Sequence, residues 1–350
     1  MEPTHAQLFV KPQGAGVAAL RDVEFVEMPT RTILNRCQNP QMPFRWTINP
    51  YRGCEFGCAY CYARYTHEFL ELRDPMDFER RIFVKRMAAQ VLAHTLARTP
   101  IGSDPIAIGT ATDPYQPAER KFGLTRSMLE VFTQLGGLRL SITTKSALVA
   151  RDLDLLLRIN ERSNLSVNFS LVTLNRRLQR ALEPRAPRPE LRLRALAVLS
   201  RAGIRCNLLM MPVIPGLSDA PAAIEAVIRA ARRAGASEVW WRSLFLKPSA
   251  AARFIPFVKQ QFPEVAPRID EFYARAVYAP RAYDEYLGAL FDRMRAKYGF
   301  TVGHRERRTE LERAAAMAAT AHGTQLALGM RRAPKEAAPI GLVGGARGGT

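Results

Sequence analysis

Three cysteines, Cys54, Cys58 and Cys61, stand within eight consecutive residues of the stretch Asn49-Pro50-Tyr51-Arg52-Gly53-Cys54-Glu55-Phe56-Gly57-Cys58-Ala59-Tyr60-Cys61-Tyr62. Thiolates are soft ligands, and this spacing on a glycine-containing loop lets all three turn toward one soft metal centre. Two kinds of centre suit them. A structural zinc ion wants four ligands in a closed tetrahedron, and His67, six residues beyond Cys61, is the available fourth. A cubane iron–sulfur cluster takes up to four thiolates; with three from the protein, one iron keeps an open position for chemistry. The other two of the five cysteines lie apart. Cys37 falls outside the spacing and reads as a free thiol. Cys206 sits in an apolar run with Ile204, Leu208 and Leu209 and reads as a buried, inert thiol, with an inward-facing hydrogen donor as the alternative. An odd number of cysteines in a chain of this size speaks against a disulfide framework.

The elements that must position this loop follow from periodicity. Strand-like runs occur at Trp46–Asn49, Ile106–Ala111, Leu138–Thr144, Leu165–Val172, Ile204–Val213 and Glu238–Leu246. Between them lie helical patterns: Phe78–Arg98, a helix capped at Thr125 and stopped at Gly136, another capped at Ser146, Pro189–Ala202 before Gly203, and one capped at Asp219 and ending at Gly235. Strand–helix alternation of this kind implies a parallel α/β sheet. Six units are too few for a closed eight-stranded barrel, which leaves a partly open barrel or a doubly wound sheet, and either carries its chemistry at the C-terminal strand ends. The cysteine cluster, Thr112-Asp113-Pro114-Tyr115 and Lys145-Ser146 all fall there. The chain divides into an N-terminal arm (1–45), a barrel (46–247), a helical C-terminal extension (248–322) and a disordered Ala-, Gly- and Arg-rich tail (323–350). In the extension, Arg281–Lys297 repeats Tyr283, Tyr286, Leu287, Leu290, Phe291 and Met294 along one expected packed face.

Composition bounds the rest. With 47% hydrophobic residues in 350, the chain has ample material for a core. No apolar run is long enough to span a bilayer and no secretory pattern opens the chain, so a cytoplasmic protein is expected. The formal charge is +19, of which +15 lies on residues 1–300, so the excess belongs to the folded body as well as to the tail. Such a field favours polyanions, nucleic acid above all. Oligomeric state is not legible.

The cysteine spacing, with Tyr60 before the third thiol, resembles the signature loop of the radical S-adenosylmethionine superfamily. The resemblance runs over about residues 30–300. It is carried further by Asn49-Pro50-Tyr51-Arg52-Gly53-Cys54, Tyr62-Ala63-Arg64, Gly109-Thr110-x-Thr112-Asp113-Pro114-Tyr115-Gln116-Pro117-x-Glu119 and Thr144-Lys145-Ser146. Ser170-Leu171, Leu182-Glu183-Pro184-Arg185 and Pro212-x-x-Pro215-Gly216 add to it. These segments are similar to an uncharacterised bacterial group related to spore photoproduct lyase, a DNA repair enzyme. The resemblance implies a partial (β/α)6 TIM-like barrel and a 4Fe–4S cluster on Cys54, Cys58 and Cys61, whose fourth iron chelates the amino and carboxylate groups of S-adenosylmethionine. Reductive cleavage then yields methionine and a 5′-deoxyadenosyl radical, with the electron supplied by a donor such as a flavodoxin or ferredoxin.

The same resemblance places Tyr60 beside the adenine, Lys145 against the methionyl carboxylate, and Thr112 and Ser170 among the cofactor contacts. Each has a plainer alternative: loop packing for Tyr60, a solvated strand end for Lys145, a satisfied core hydroxyl for Ser170, and a turn cap for Thr112 and Asp113. Glu183 and Arg185 read as an ion pair with each other, with a polar contact to substrate or cofactor as the alternative. Trp240 and Trp241, adjacent in a strand, face opposite ways, so one can line the barrel. Beside Thr112-Asp113, where spore photoproduct lyase carries a hydrogen-donating cysteine, this chain has Ala111. The implied cofactor chemistry therefore comes without that donor. From another class, the basic charge and the thiols together also suit a zinc-stabilised nucleic-acid-binding module without radical chemistry.

Overall fold

The computed structural model describes residues 8–9, 23–39 and 42–300. The C-terminal tail and the end of the expected extension, from 301 on, lie outside the described residues, as does most of 1–22. Six strands form where the apolar runs stand: β1 (Trp46–Ile48), β2 (Pro105–Ile108), β3 (Arg139–Thr144), β4 (Asn164–Ser170), β5 (Arg205–Val213) and β6 (Glu238–Ser243). All pair in parallel, each with the next in sequence. The order never reverses, which removes the doubly wound alternative, since that topology needs a switch point. Leu34–Arg36 pairs antiparallel on the outer side of β1 and β6 forms the other edge, so the sheet is an open barrel.

Alternate residues explain the layers. Leu140, Ile142, Leu165, Val167 and Phe169 are buried with the helix side chains, whereas Ser141, Thr143, Ser166 and Asn168 between them are half-buried on the opposite face. The covering helices are α1 (Ala88–Arg98), α2 (Leu124–Phe132), α3 (Leu153–Asn160), α4 (Pro189–Arg201) and α5 (Pro221–Arg233), followed by α6 (Pro248–Gln261), α7 (Ala266–Tyr273) and α8 (Arg281–Lys297). Among the described residues no helix is long and apolar enough to cross a membrane. Trp241 leaves the barrel wall outward and stacks on Phe291 of α8 at 5.1 Å, while Trp240 faces the other way. On α8, Leu287, Leu290 and Phe291 are buried, but Tyr286 is exposed rather than packed.

Several expected ends move, each for a local reason. β2 stops at Ile108 because Gly109 turns with φ +89°, where a Cβ would lie 2.6 Å from both Pro114 and the Thr143 carbonyl. Ser146 does cap its turn, accepting from the Leu148 amide. Thr125 does not cap α2: Gly123 holds that place, and the Thr125 hydroxyl donates to the Pro114 carbonyl. Asp219 does not cap α5 either; its carboxylate accepts from the Gly216 amide and the Tyr283 hydroxyl.

The largest correction concerns Phe78–Arg98, expected as one helix. It breaks into a single turn (Asp77–Arg80), a strand (Arg81–Val84) and α1. The strand belongs to a second sheet, ordered Leu8–Phe9, Glu24–Glu27, Arg81–Val84, Tyr51–Arg52. Phe25, Tyr51, Ile82 and Val84 form its own small core. This sheet seizes the chain at Tyr51–Arg52, immediately before the first cluster cysteine. Lys85, at its end, donates to the Asn49 carbonyl at 2.8 Å and so ties the sheet to the mouth of β1.

Burial, with the Arg52 guanidinium nearby, lowers the Lys85 ammonium from 10.5 to about 8. Between these values the unfolded chain binds the proton and the folded chain does not, so stability rises with pH across that window. Relative to a Lys85→Met variant, the wild type should gain about 3 kcal/mol as pH rises through it. Denaturant unfolding of both proteins at pH steps across the window checks this; parallel curves would contradict it.

Candidate functional site

The cysteine loop has no secondary structure of its own to hold it, so its backbone is held from outside. The Cys54 amide donates to the Phe78 carbonyl at 2.9 Å and the Ala59 amide to the Leu182 carbonyl at 2.9 Å. The Gly53 carbonyl accepts from Thr112 Oγ1 at 2.6 Å and Gln116 Nε2 at 3.1 Å, and Gln116 Oε1 accepts from the Glu55 amide at 2.9 Å. Thr112 thus uses its proton on the loop, and the strand end after β2 becomes the loop's clamp. Glu55 Oε1 accepts from the Ala118 amide at 2.6 Å, and burial raises its carboxyl to about 7.

Below the loop lies a buried charge network. Arg64 donates to the Cys58 carbonyl at 3.0 Å and pairs with Glu79 at 3.3 Å; both side chains are almost fully buried. Arg185 also pairs with Glu79 and donates to the Glu55 carbonyl. The expected Glu183–Arg185 pair is therefore not formed: Arg185 turns to Glu79, and Glu183 pairs with Arg192 of α4 inside the protein. Gly57, at φ +61°, sits against this network, and a Cβ there would lie 2.0 Å from Glu79 Oε2 and 2.1 Å from Arg185 Nη2.

The three thiols lie in electrostatic range of one another, and none forms a disulfide. Burial, with Asp113 and the other two thiols nearby, raises Cys54 well above the ordinary thiol range. Burial pushes Cys58 up to about 12, against the pull of Lys145. Such thiols ionise only beside a strong cation. Among the described residues no three His, Cys, Asp or Glu side chains close around a single ion, as a mononuclear zinc site requires. A cubane cluster instead places each thiolate on its own iron, and three soft donors on one loop fit that demand. His67 is not a fourth ligand. Its Nε2 bonds the Arg81 carbonyl at 3.0 Å, its ring packs between Phe78 and Phe83, and burial lowers its pKa.

One wall of the site comes from Tyr60, Lys145, Ser170 and Glu183. The register Thr144↔Phe169 puts Lys145 level with Ser170. Lys145 Nζ lies 5.7 Å from the Tyr60 ring centroid. Burial works against the Lys145 charge, but Cys58 and Glu183 outweigh it, so its pKa ends above the usual lysine value. The Tyr60 hydroxyl donates to Glu183. Burial alone would raise Glu183, yet Arg192 and Lys145 hold it below the usual carboxylate range. Ser170 Oγ is buried without a hydrogen-bond partner, an orphan hydroxyl beside Lys145 that suits a polar ligand. Asp113 accepts from Thr144 Oγ1 at 2.6 Å and the Lys145 amide at 2.7 Å, locking the β2 and β3 ends together.

Of the remaining thiols, Cys37 is half-buried near the Asn39 carbonyl and away from the cluster. Cys206 faces outward with Leu208, fully buried, its thiol raised by burial to about 12. The Ala111 amide donates to Asn49 Oδ1 at 2.8 Å. Sequence reasoning missed Arg64, Glu79, Gln116 and Arg192 as parts of the site. Arg64 and Gln116 sit inside quoted motifs, which was their only signal; Arg192 lies in a helix full of arginines and is told apart by tertiary contact alone.

Residues 48–234 match the Radical SAM superfamily. An uncharacterised protein of Mycobacterium tuberculosis is 34% identical over 293 residues, covering 83% of this chain and 86% of that relative. An uncharacterised protein of Methanocaldococcus jannaschii is 27% identical over 242 residues, covering 69% and 85%. A variant of spore photoproduct lyase with bound AdoMet and dinucleoside spore photoproduct has the same fold, with TM-score 0.57 and 18% identity over 78% of this chain and 79% of the other.

The clamp makes a direct prediction. Gly57→Ala forces a left-handed alanine against the Glu79–Arg185 pair and should cost about 2 kcal/mol or more. The variant should keep its overall circular dichroism but take up far less iron on anaerobic reconstitution than the wild type. Undiminished iron uptake and stability would show that the loop tolerates displacement.

Proposed function

This chain belongs to the radical S-adenosylmethionine superfamily, whose enzymes use a 4Fe–4S cluster and S-adenosylmethionine, and on that premise we propose that Cys54, Cys58 and Cys61 hold the cluster and that the substrate is nucleic acid. The observation that carries the first part is the three-thiol loop at the C-terminal end of β1, with Cys54 and Cys58 buried and Cys61 half-buried, held by hydrogen bonds to other elements. When bound, the cluster and S-adenosylmethionine supply reductive cleavage to methionine and a 5′-deoxyadenosyl radical that takes a hydrogen atom from the substrate.

The chain's own groups bind and orient. Lys145, whose pKa stays above the usual lysine value with Glu183 nearby, meets the cofactor carboxylate. Ser170 offers its orphan hydroxyl to a cofactor oxygen. Tyr60, fixed by Glu183, presents a ring that shields the site from water. Thr112 serves by holding Gly53. The electron enters from a donor of the flavodoxin or ferredoxin class.

The nucleic-acid reading rests on the charge of +19, most of it on the folded body. The fold neighbour's bound dinucleoside lesion supports it too. Reversal of that lesion is a poor fit: Ala111 brings no thiol, and Cys206 faces the helices rather than the barrel interior.

Two measurements test the proposal. After anaerobic reconstitution and reduction, the wild type should release 5′-deoxyadenosine from S-adenosylmethionine, and Cys58→Ala should release none above background; cofactor cleavage by that variant would remove the cluster assignment. A labelled single-stranded oligonucleotide should bind with affinity falling at least about tenfold between about 50 and 200 mM salt. A flat salt response would end the nucleic-acid reading and leave the cluster assignment intact.

A further inference from the structure

The interior of a closed eight-stranded barrel is filled by bulky branched side chains. This barrel is lined differently. Strand register places Ser141, Ser166 and Arg205 in one row, and Thr143, Asn168, Asn207 and Glu238 in the next. Residues level with one another in parallel strands face the same way. The helix-facing residues between these rows, Ile142, Val167, Cys206, Leu208 and Val239, are 0–1% exposed. Ser141, Thr143, Ser166 and Asn168 are only half-buried. These inward rows are thus polar and mostly only half-buried, a chamber rather than an apolar core.

Within it the amides form a chain. Asn207 Nδ2 donates to Asn168 Oδ1 at 2.9 Å, and Asn168 Nδ2 to Thr143 Oγ1 at 3.5 Å. In this arrangement Asn207 Oδ1 is left buried with no hydrogen-bond partner, on a residue 5% exposed. An unsatisfied buried acceptor is costly, and a ligand donor removes the cost. The chamber's charged pair is already matched: Arg205 meets Glu238 at 2.8 Å, and Glu238 also accepts from Trp240 Nε1 at 2.9 Å. Asn207 therefore offers an acceptor in neutral polar surroundings, near the indole of Trp240, whose register partner is Leu209. It lies one pleat, about 6.6 Å along the strand, from the level of Ser170 and Lys145.

We propose that Asn207 is the substrate-reading residue of the barrel, its Oδ1 accepting a hydrogen bond from an uncharged N–H on the edge of a nucleobase drawn out of its strand into the chamber. This rests on the nucleic-acid reading above. A nucleobase has the required chemistry: it is neutral and planar, it carries an edge N–H, and it must leave the stack before an enzyme can reach its atoms.

The probe is a short single-stranded oligothymidylate, whose base carries one edge N–H, compared with the same strand methylated at that nitrogen. Fluorescence anisotropy at fixed salt, on cluster-loaded protein with S-adenosylmethionine present, gives four dissociation constants with the wild type and Asn207→Leu. The wild type should prefer the unmethylated strand by about tenfold, the size of one hydrogen bond, and Asn207→Leu should lose that preference. Asn207→Leu should bind the methylated strand as tightly as the wild type does, which separates loss of this one contact from a general loss of fold. Equal affinity of the wild type for both strands, or an undiminished preference in the variant, overturns the role of Asn207 while leaving nucleic-acid binding in place. Failure of the wild type to bind either strand at low salt overturns the nucleic-acid reading itself, and with it this role.

Discussion

Three thiols must be kept out of water, close to one another and uncommitted to any other partner, and the loop that carries them has almost no internal hydrogen bonding. Its position is therefore borrowed. The Gly53 carbonyl is gripped by Thr112 and Gln116, the Cys58 carbonyl by Arg64, and the Ala59 amide by the end of the helix that precedes Glu183. Two buried carboxylates, Glu79 and Glu183, anchor the arginines that surround the loop. Buried ion pairs of this kind add little net stability, but losing one partner leaves a charge stranded in a dry interior. They act here as fixed supports, and those from Thr112, Gln116, Leu182 and Arg185 reach the loop from segments distant in sequence.

That dependence explains the architecture around the loop. The second sheet grips Tyr51–Arg52 before the first cysteine, and the stretch after β2 passes under Gly53 and Glu55. An open, singly wound barrel brings the ends of β1 to β4 to the same rim, so Cys58, Lys145, Ser170 and the Asp113 lock meet there. Because the barrel has only six parallel strands and two free edges, its interior does not need to be filled. Small polar residues line it instead, which leaves room beside the rim where the thiols sit.

The electrostatics of the rim have a single sense. Burial resists every charge placed there, yet Lys145 stays a cation and Glu183 an anion, because each lies near the other and Glu183 also lies near Arg192. Burial outweighs the nearby cations at Cys58 and raises Cys54 too, so these two thiols are held protonated until a cationic centre arrives. The site is thus arranged so that the metal centre supplies the charge that the cysteines lack.

The six barrel strands, the cysteine loop and the positions of Lys145 and Ser170 at strand ends were legible in the chain, because period-two apolar runs and ligand spacing are local properties. Arg81–Val84 was not: its residues continue a helical pattern from Phe78, and only pairing with Glu24–Glu27 and Tyr51–Arg52 makes them a strand. Glu183 and Arg185 looked like mutual partners because they are neighbours in sequence, but a buried charge takes whichever opposite charge shares its cavity, and Arg192 and Glu79 do. His67 looked like a ligand by spacing, and its ring is instead packed on Phe78 and Phe83. By itself, then, the sequence determined which thiols could hold a soft metal centre, since ligand type and short spacing are local properties. Tertiary structure alone decided which charges pair, which hydroxyl and amide stay free, and what holds the loop, since those outcomes depend on which distant segments share one dry volume.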